Sequence, residues 1–186
     1  MRLFVALQIA SEVRESLAAL IAEFRPLAAK LKWVRADNLH LTLKFIGETE
    51  SMKLDAIRMA LGELRSSNPV ELQVRGLGFF PNARWPRVFW AGVQASDNLA
   101  ALAADLDAAC ATLGFAREKH PYSPHLTLAR LESTHPTGAL RDAIERNAAR
   151  EFGSFRASQF HLIESKLKPV GAEYTTVQSF PFVSES

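Results

Sequence analysis

The tetrapeptide His40-Leu41-Thr42-Leu43 recurs unchanged as His125-Leu126-Thr127-Leu128, 85 positions further along the chain. On a β-strand, residues two apart share a face, so each copy shows an imidazole and a hydroxyl to one side and leucine to the other. The leucines demand a core on one face only. Two such strands brought together would set two acid/base groups and two hydroxyls around one groove.

The elements around the two copies repeat in order. Arg2 to Ile9 reads as a buried strand, and Ser11 as the cap of a helix whose apolar positions Val13, Leu17, Leu20, Ile21 and Phe24 follow the 3.6-residue period. Pro26 ends that helix. Lys32 to Arg35 reads as a short strand, Asp37-Asn38 as a turn, and Leu39 to Ile46 as the first HLTL strand, closed by Gly47. Ser51 to Ser66 is helical, with Leu54, Ile57, Leu61 and Leu64 on one stripe. Val70 to Phe80 and Arg87 to Val93 form a hairpin around the turn Pro81 to Pro86.

The second half follows suit. Ser96 or Asp97 caps a helix burying Leu99, Leu102, Leu106, Ala109 and Leu113, and Gly114 stops it. Pro121 to Pro124 imposes an extended approach to the second HLTL strand. Thr137 opens a helix carrying Leu140 and Ile144. Phe155 to Lys166 and Glu173 to Phe180 read as the last two strands, joined at Pro169 and Gly171. The expected fold is therefore α+β, with two lobes related by a pseudo-two-fold. Antiparallel sheets line a central cleft, helices lie outside, and residues 1–186 form one domain.

Composition narrows the function classes. With 186 residues, 48% hydrophobic and 23% charged, the chain resembles an ordinary globular protein. One cysteine, Cys110, excludes an internal disulfide, and its helical, alanine-rich setting suits a buried apolar role rather than a nucleophile. The apolar start is interrupted by Gln8 and followed by charge, unlike a signal peptide, and no run approaches the roughly 20 apolar residues of a membrane span. A cytoplasmic location is expected. The formal net charge of +2 permits a phosphate-bearing ligand without marking a duplex binder.

Two imidazoles with ordinary pKa values near about 6.5 can act as acid and base together, one protonated and one neutral. That pair suits phosphodiester cleavage in which a ribose oxygen leaves or attacks. The threonine hydroxyls and a cation would hold the non-bridging oxygens as charge develops. A zinc site would need a third protein ligand, and the chain has no H-E-x-x-H or C-x-x-C string. No metal or cofactor is expected.

The sequence resembles the 2H phosphoesterases, and most closely the bacterial RNA 2′,3′-cyclic phosphodiesterases, also called 2′-5′ RNA ligases. The likeness spans nearly the whole chain: Arg2 to Leu7, Asn38 to Glu48, Pro124 to Arg130, Glu164-Ser165 and Tyr174-Thr175. It implies that His40 is the proton donor to the leaving ribose oxygen and His125 the acceptor that activates water. It implies phosphate binding by Thr42, Thr127 and Arg130, with a 2′-phosphomonoester as product. RNA with 2′,3′-cyclic ends, tRNA fragments or small cyclic nucleotides are the implied partners, and the protein is expected to be a monomer. ATP-independent 2′-5′ ligation to a 5′-hydroxyl end and non-catalytic binding of RNA ends are the alternatives. Strand periodicity treats the two histidines alike, so their separate roles come from the resemblance alone. On an unbroken strand Arg130 falls opposite His125, with Leu126 and Leu128. A bulge or the strand's end must re-aim it, or its role is structural.

The neighbouring residues have plainer readings. His120 and His135 precede prolines and read as loop residues, whereas His161 reads as a structural imidazole within a strand. Phe45, Tyr122, Trp33 and Trp85 are candidate stacking surfaces for a base, although core or lid packing is the better reading of each; Tyr122, three residues from His125 in a loop, is the strongest of the four. Lys44, Lys119, Arg84 and Arg87 read as surface cations able to steer RNA.

Overall fold

The computed structural model describes residues 1–64, 68–132 and 135–183. In chain order the elements are β1 (Arg2–Gln8), α1 (Ser11–Phe24), β2 (Lys32–Trp33), β3 (His40–Glu48), α2 (Leu54–Gly62), β4 (Val70–Phe80) and β5 (Val88–Ala95). There follow α3 (Asn98–Thr112), β6 (His125–Arg130), α4 (Gly138–Arg146), β7 (Glu151–Ala157), β8 (Gln159–Lys168) and β9 (Gly171–Pro181). Among the described residues no helix is long and apolar enough to cross a membrane.

The strands form two antiparallel sheets, ordered β3-β1-β8-β9 and β2-β6-β5-β4-β7. Each HLTL strand lies beside the first strand of its own repeat, β3 beside β1 and β6 beside β5. The later strands cross over: β4, from the first repeat, pairs with β5, and β8, from the second, pairs with β1. Each sheet is thus assembled from both halves of the chain. The helices cross over too, α1 packing against β7 and α3 against β3.

Alternation along β1 shows where the core lies. Leu3, Val5 and Leu7 enter the main hydrophobic core, whereas Phe4 and Ala6 point to the other face and pack with Ile163 and Tyr174. α1 buries Val13, Leu17, Leu20, Ile21 and Phe24, the stripe expected from its period. Each fully buried leucine contributes on the order of 2 kcal/mol.

Several expected boundaries move. Ala10, not Ser11, is the N-cap of α1, and no side chain caps it. The strand expected over Phe155 to Lys166 is two strands in different sheets. It breaks at Ser158, whose carbonyl accepts a hydrogen bond from the Phe182 N–H (2.8 Å). The helix expected from Ser51 begins as a 3₁₀ turn over Ser51–Lys53, and its expected last residues, Arg65 and Ser66, lie outside the described residues. On α3 it is Cys110, not Ala109, that is fully buried. Ser96 and Asp97 make no side-chain cap; the Ser96 hydroxyl accepts from the Glu71 N–H instead (3.0 Å). The Thr137 hydroxyl does cap α4, accepting from the Leu140 N–H at 3.1 Å.

Both HLTL strands carry a bulge at the same place. In β3, Lys44 pairs with Val5 and Thr42 with Ala6, so Leu43 is left over. In β6, Ala129 pairs with Phe89 and Thr127 with Trp90, leaving Leu128. Two consecutive side chains then turn inward, Leu43 with Lys44 and Leu128 with Ala129, and the face alternation is inverted beyond them. Gly47 does not end β3. It sits inside the strand at φ +91, beside a second irregularity at Ile46.

The inward turn buries Lys44, which the sequence suggests is a surface cation, to 2% exposure. Its ammonium donates to Asp107 (2.9 Å), to the Ala116 carbonyl (2.8 Å) and to Glu118 (3.3 Å). Burial alone would lower its pKa, but the Asp107 hydrogen bond and the Glu118 charge outweigh that and raise it. Asp107, held low chiefly by Lys44, also receives Arg117 at 2.8 Å. This cluster ties α3 and the segment after it to β3. Asp107→Ala is expected to cost about 3–5 kcal/mol in denaturant melts by leaving a buried ammonium under-compensated. In a Lys44→Met background the same substitution should cost far less.

Candidate active site

The two HLTL strands meet where the sheets come together, β3 against β6. His40 opens β3 and His125 opens β6, and each ring is fixed in the same way. His40 Nδ1 donates to the Asn38 carbonyl (2.7 Å), and His125 Nδ1 donates to the Ser123 carbonyl (2.9 Å), each acceptor two residues upstream. A carbonyl only accepts, so Nδ1 carries the hydrogen in both rings and Nε2 is left as the nitrogen that exchanges a proton. In His40 that Nε2 lies 3.0 Å from Thr42 Oγ1. The hydroxyl donates to the neutral ring and accepts from the protonated one.

Aromatic rings brace both imidazoles. Phe4 lies 4.8 Å from the His40 ring centre and Tyr174 meets it edge-on at 5.2 Å. Phe80 meets His125 edge-on at 4.8 Å and leans on Trp90 at 5.3 Å. The Trp90 ring covers Gly78, where any Cβ would collide with it. Phe4, Phe80 and Tyr174 were not singled out from sequence. Only the pairing of distant strands brings the two phenylalanines to the histidines, and the sole sequence signal for Tyr174 is its place in the closing stretch that carries the resemblance.

Arg130 is exposed on the cleft face, not set among the leucines as an unbroken strand requires. The bulge at Leu128 is the cause. Burial pulls the His40 pKa down, the Asn38 hydrogen bond pushes partly back, and the Arg130 charge lowers it again. His125 follows the same pattern with Ser123 and Arg130. One guanidinium therefore acts on both imidazoles, and it acts on Tyr174 too, whose pKa burial nevertheless raises.

The position in β3 that matches Arg130 is Phe45, 46% exposed on the cleft face with the Arg2 guanidinium 5.2 Å above its ring. Tyr122 donates its hydroxyl to the Thr42 carbonyl (2.9 Å), tying the approach to β6 onto β3. Burial raises its pKa strongly and keeps it a donor. Thr42, Phe45, Phe80, Tyr122 and His125 line a cavity of about 1030 Å³, together with Arg87 and His120.

The remaining candidates fall outside the cleft's chemistry. His161 is buried and bonded to Ser179 Oγ (2.8 Å), and His135 is exposed beside Trp85. Trp33 donates to the Ala28 carbonyl (2.9 Å) and packs on Phe89. Cys110 is buried, which raises its thiol pKa. Among the described residues no three His, Cys, Asp or Glu side chains gather as a metal-ligand set.

The profile of the 2′-5′ RNA ligase superfamily matches residues 13–169. The RNA 2′,3′-cyclic phosphodiesterase of Methanocaldococcus jannaschii is 34% identical over 180 residues, covering 97% of this chain and 100% of that protein. A crystal structure from Thermus thermophilus superposes with a TM-score of 0.83 at 32% identity over 100% of both chains. E. coli LigT complexed with 3′-AMP gives 0.78 at 30% identity over 97% of each.

Because the Arg130 charge disfavours protonation of both rings, Arg130→Gln is expected to raise both histidine pKa values. An NMR titration of the imidazole protons checks this. A shift of His125 alone would show that the guanidinium does not reach His40.

Proposed function

The chain belongs to the 2′-5′ RNA ligase superfamily as an RNA 2′,3′-cyclic phosphodiesterase, and we propose that it opens the cyclic ester with His40 and His125 as acid and base. The observation that carries this reading is the matched anchoring of the two imidazoles, each through Nδ1 to a carbonyl, with Arg130 acting on both.

Burial and Arg130 favour neutral rings. A cyclic phosphate seated beside Arg130 brings a negative charge that offsets the guanidinium and raises the affinity of an imidazole for a proton. One ring is then protonated while the other stays neutral, which is the state the reaction needs. Neutral His125 takes a proton from water as the water oxygen bonds to phosphorus. Protonated His40 delivers its Nε2 proton to the departing 3′-oxygen, and a 2′-phosphomonoester remains. Thr42, Thr127 and Arg130 hold the non-bridging oxygens as their charge builds. The Thr42 hydroxyl exchanges its bond to His40 for one to phosphate. Phe45 offers an exposed ring face to a nucleobase. Tyr122, with its hydroxyl committed to the Thr42 carbonyl, lines the same cavity.

The test is a product assay on a short RNA ending in a 2′,3′-cyclic phosphate. The expected product keeps phosphate on the 2′-oxygen, and the rate should follow a bell-shaped pH profile. His40→Ala and His125→Ala should each lower kcat by about a hundredfold or more. Full activity in either variant, or release of a 3′-phosphate, would overturn the assignment. Adding a 5′-hydroxyl RNA to the same assay measures the reverse joining reaction, which the same two histidines would serve.

A further inference from the structure

A second cavity, of about 410 Å³, is walled by His40 and Tyr174, whereas Thr42 and His125 line the larger one. Three cations line it: Arg14 from α1, Arg35 from the turn before β3, and Lys168 at the end of β8. Asp37 and Glu173 line it as well, leaving a positive balance. Among the described residues none of the three cations forms an ion pair, and Arg14 Nε is buried with no hydrogen-bond partner. A buried donor without a partner costs free energy unless a ligand satisfies it. The rim is held in place, since Asn38 donates to the Ala172 carbonyl across it (2.8 Å) and also supplies the carbonyl that fixes His40.

We propose that this cavity is a second anion subsite, which holds the phosphodiester one nucleotide upstream of the cyclic phosphate. The proposal rests on the reading of the cleft as a cyclic phosphodiesterase site. The two cavities differ in the chemistry they suit. The larger is walled mainly by aromatic and apolar side chains fit for a nucleoside, and its Asp107, Glu118 and Arg117 are already committed to ion pairs. The smaller has cations that form no ion pair among the described residues, fit for a phosphate. A single strand whose terminal phosphate sits between the histidines, with its base on the aromatic side, leads its backbone past His40 toward Arg14, Arg35 and Lys168. Arginine's planar fork matches two phosphate oxygens, and lysine adds a point charge at the exposed end. The subsite would make the enzyme favour RNA ends over free cyclic mononucleotides.

Arg35 and Lys168 are exposed, so Arg35→Gln and Lys168→Gln remove charge without opening the core. Both would be assayed on a 2′,3′-cyclic mononucleotide and on a trinucleotide bearing the same end. The expected result is a loss of about tenfold in kcat/KM for the trinucleotide in the double variant, with the mononucleotide unchanged. The salt dependence of the trinucleotide reaction should also weaken, by about 0.7 in log–log slope for each phosphate contact removed. Equal losses on both substrates, or no loss on either, would overturn the subsite while leaving the phosphodiesterase reading intact. Failure of the unaltered protein to hydrolyse either substrate would overturn that reading, and the subsite with it.

Discussion

One surplus residue in each HLTL strand sets the geometry of the cleft. Leu43 has no partner on β1 and Leu128 none on β5, and each forces the next side chain inward and the one after it back out. In β6 the inward residue is Ala129, which the core accepts, and the outward one is Arg130. In β3 the inward residue is Lys44 and the outward one is Phe45. The same backbone device, used twice, thus yields a cation at one rim of the cleft and an aromatic face at the other. The fold is nearly symmetric, and its chemistry is not.

Burying Lys44 has a structural return. Its ammonium reaches Asp107, Ala116 and Glu118, and Tyr122 reaches the Thr42 carbonyl, so the chain leading into β6 is fastened to β3 at several points. The second histidine is therefore positioned from the strand that carries the first. In the proposed mechanism such anchoring matters for proton transfer, where small misplacements between acid, base and phosphorus are costly in rate.

Much of this was legible in the sequence, and the parts that were not share a cause. Amphipathic periods gave the buried stripe of α1 and the span of β4, and the repeated tetrapeptide marked both site strands. The break at Ser158 was hidden because alternation records burial and not which neighbour a strand pairs with. The fate of Lys44 was hidden because a bulge changes parity without leaving a local signature. The same parity change explains why Arg130 looked misplaced on an ideal strand. Phe4 and Phe80 reach the histidines only through long-range register, and no window of sequence holds that register.

The exchange of strands between repeats bears on how the protein comes into being. β1 is made first, yet its ladder is incomplete until β8 arrives more than 150 residues later. Between those moments one edge of β1 offers unpaired backbone groups to any neighbouring strand. Non-local pairing of this kind slows folding and prolongs exposure to wrong partners. On the ribosome, Phe4 and Asn38 are made before His40 but its edge-on ring contact must wait for Tyr174, so a nascent chain can present both histidines well before their surroundings are complete.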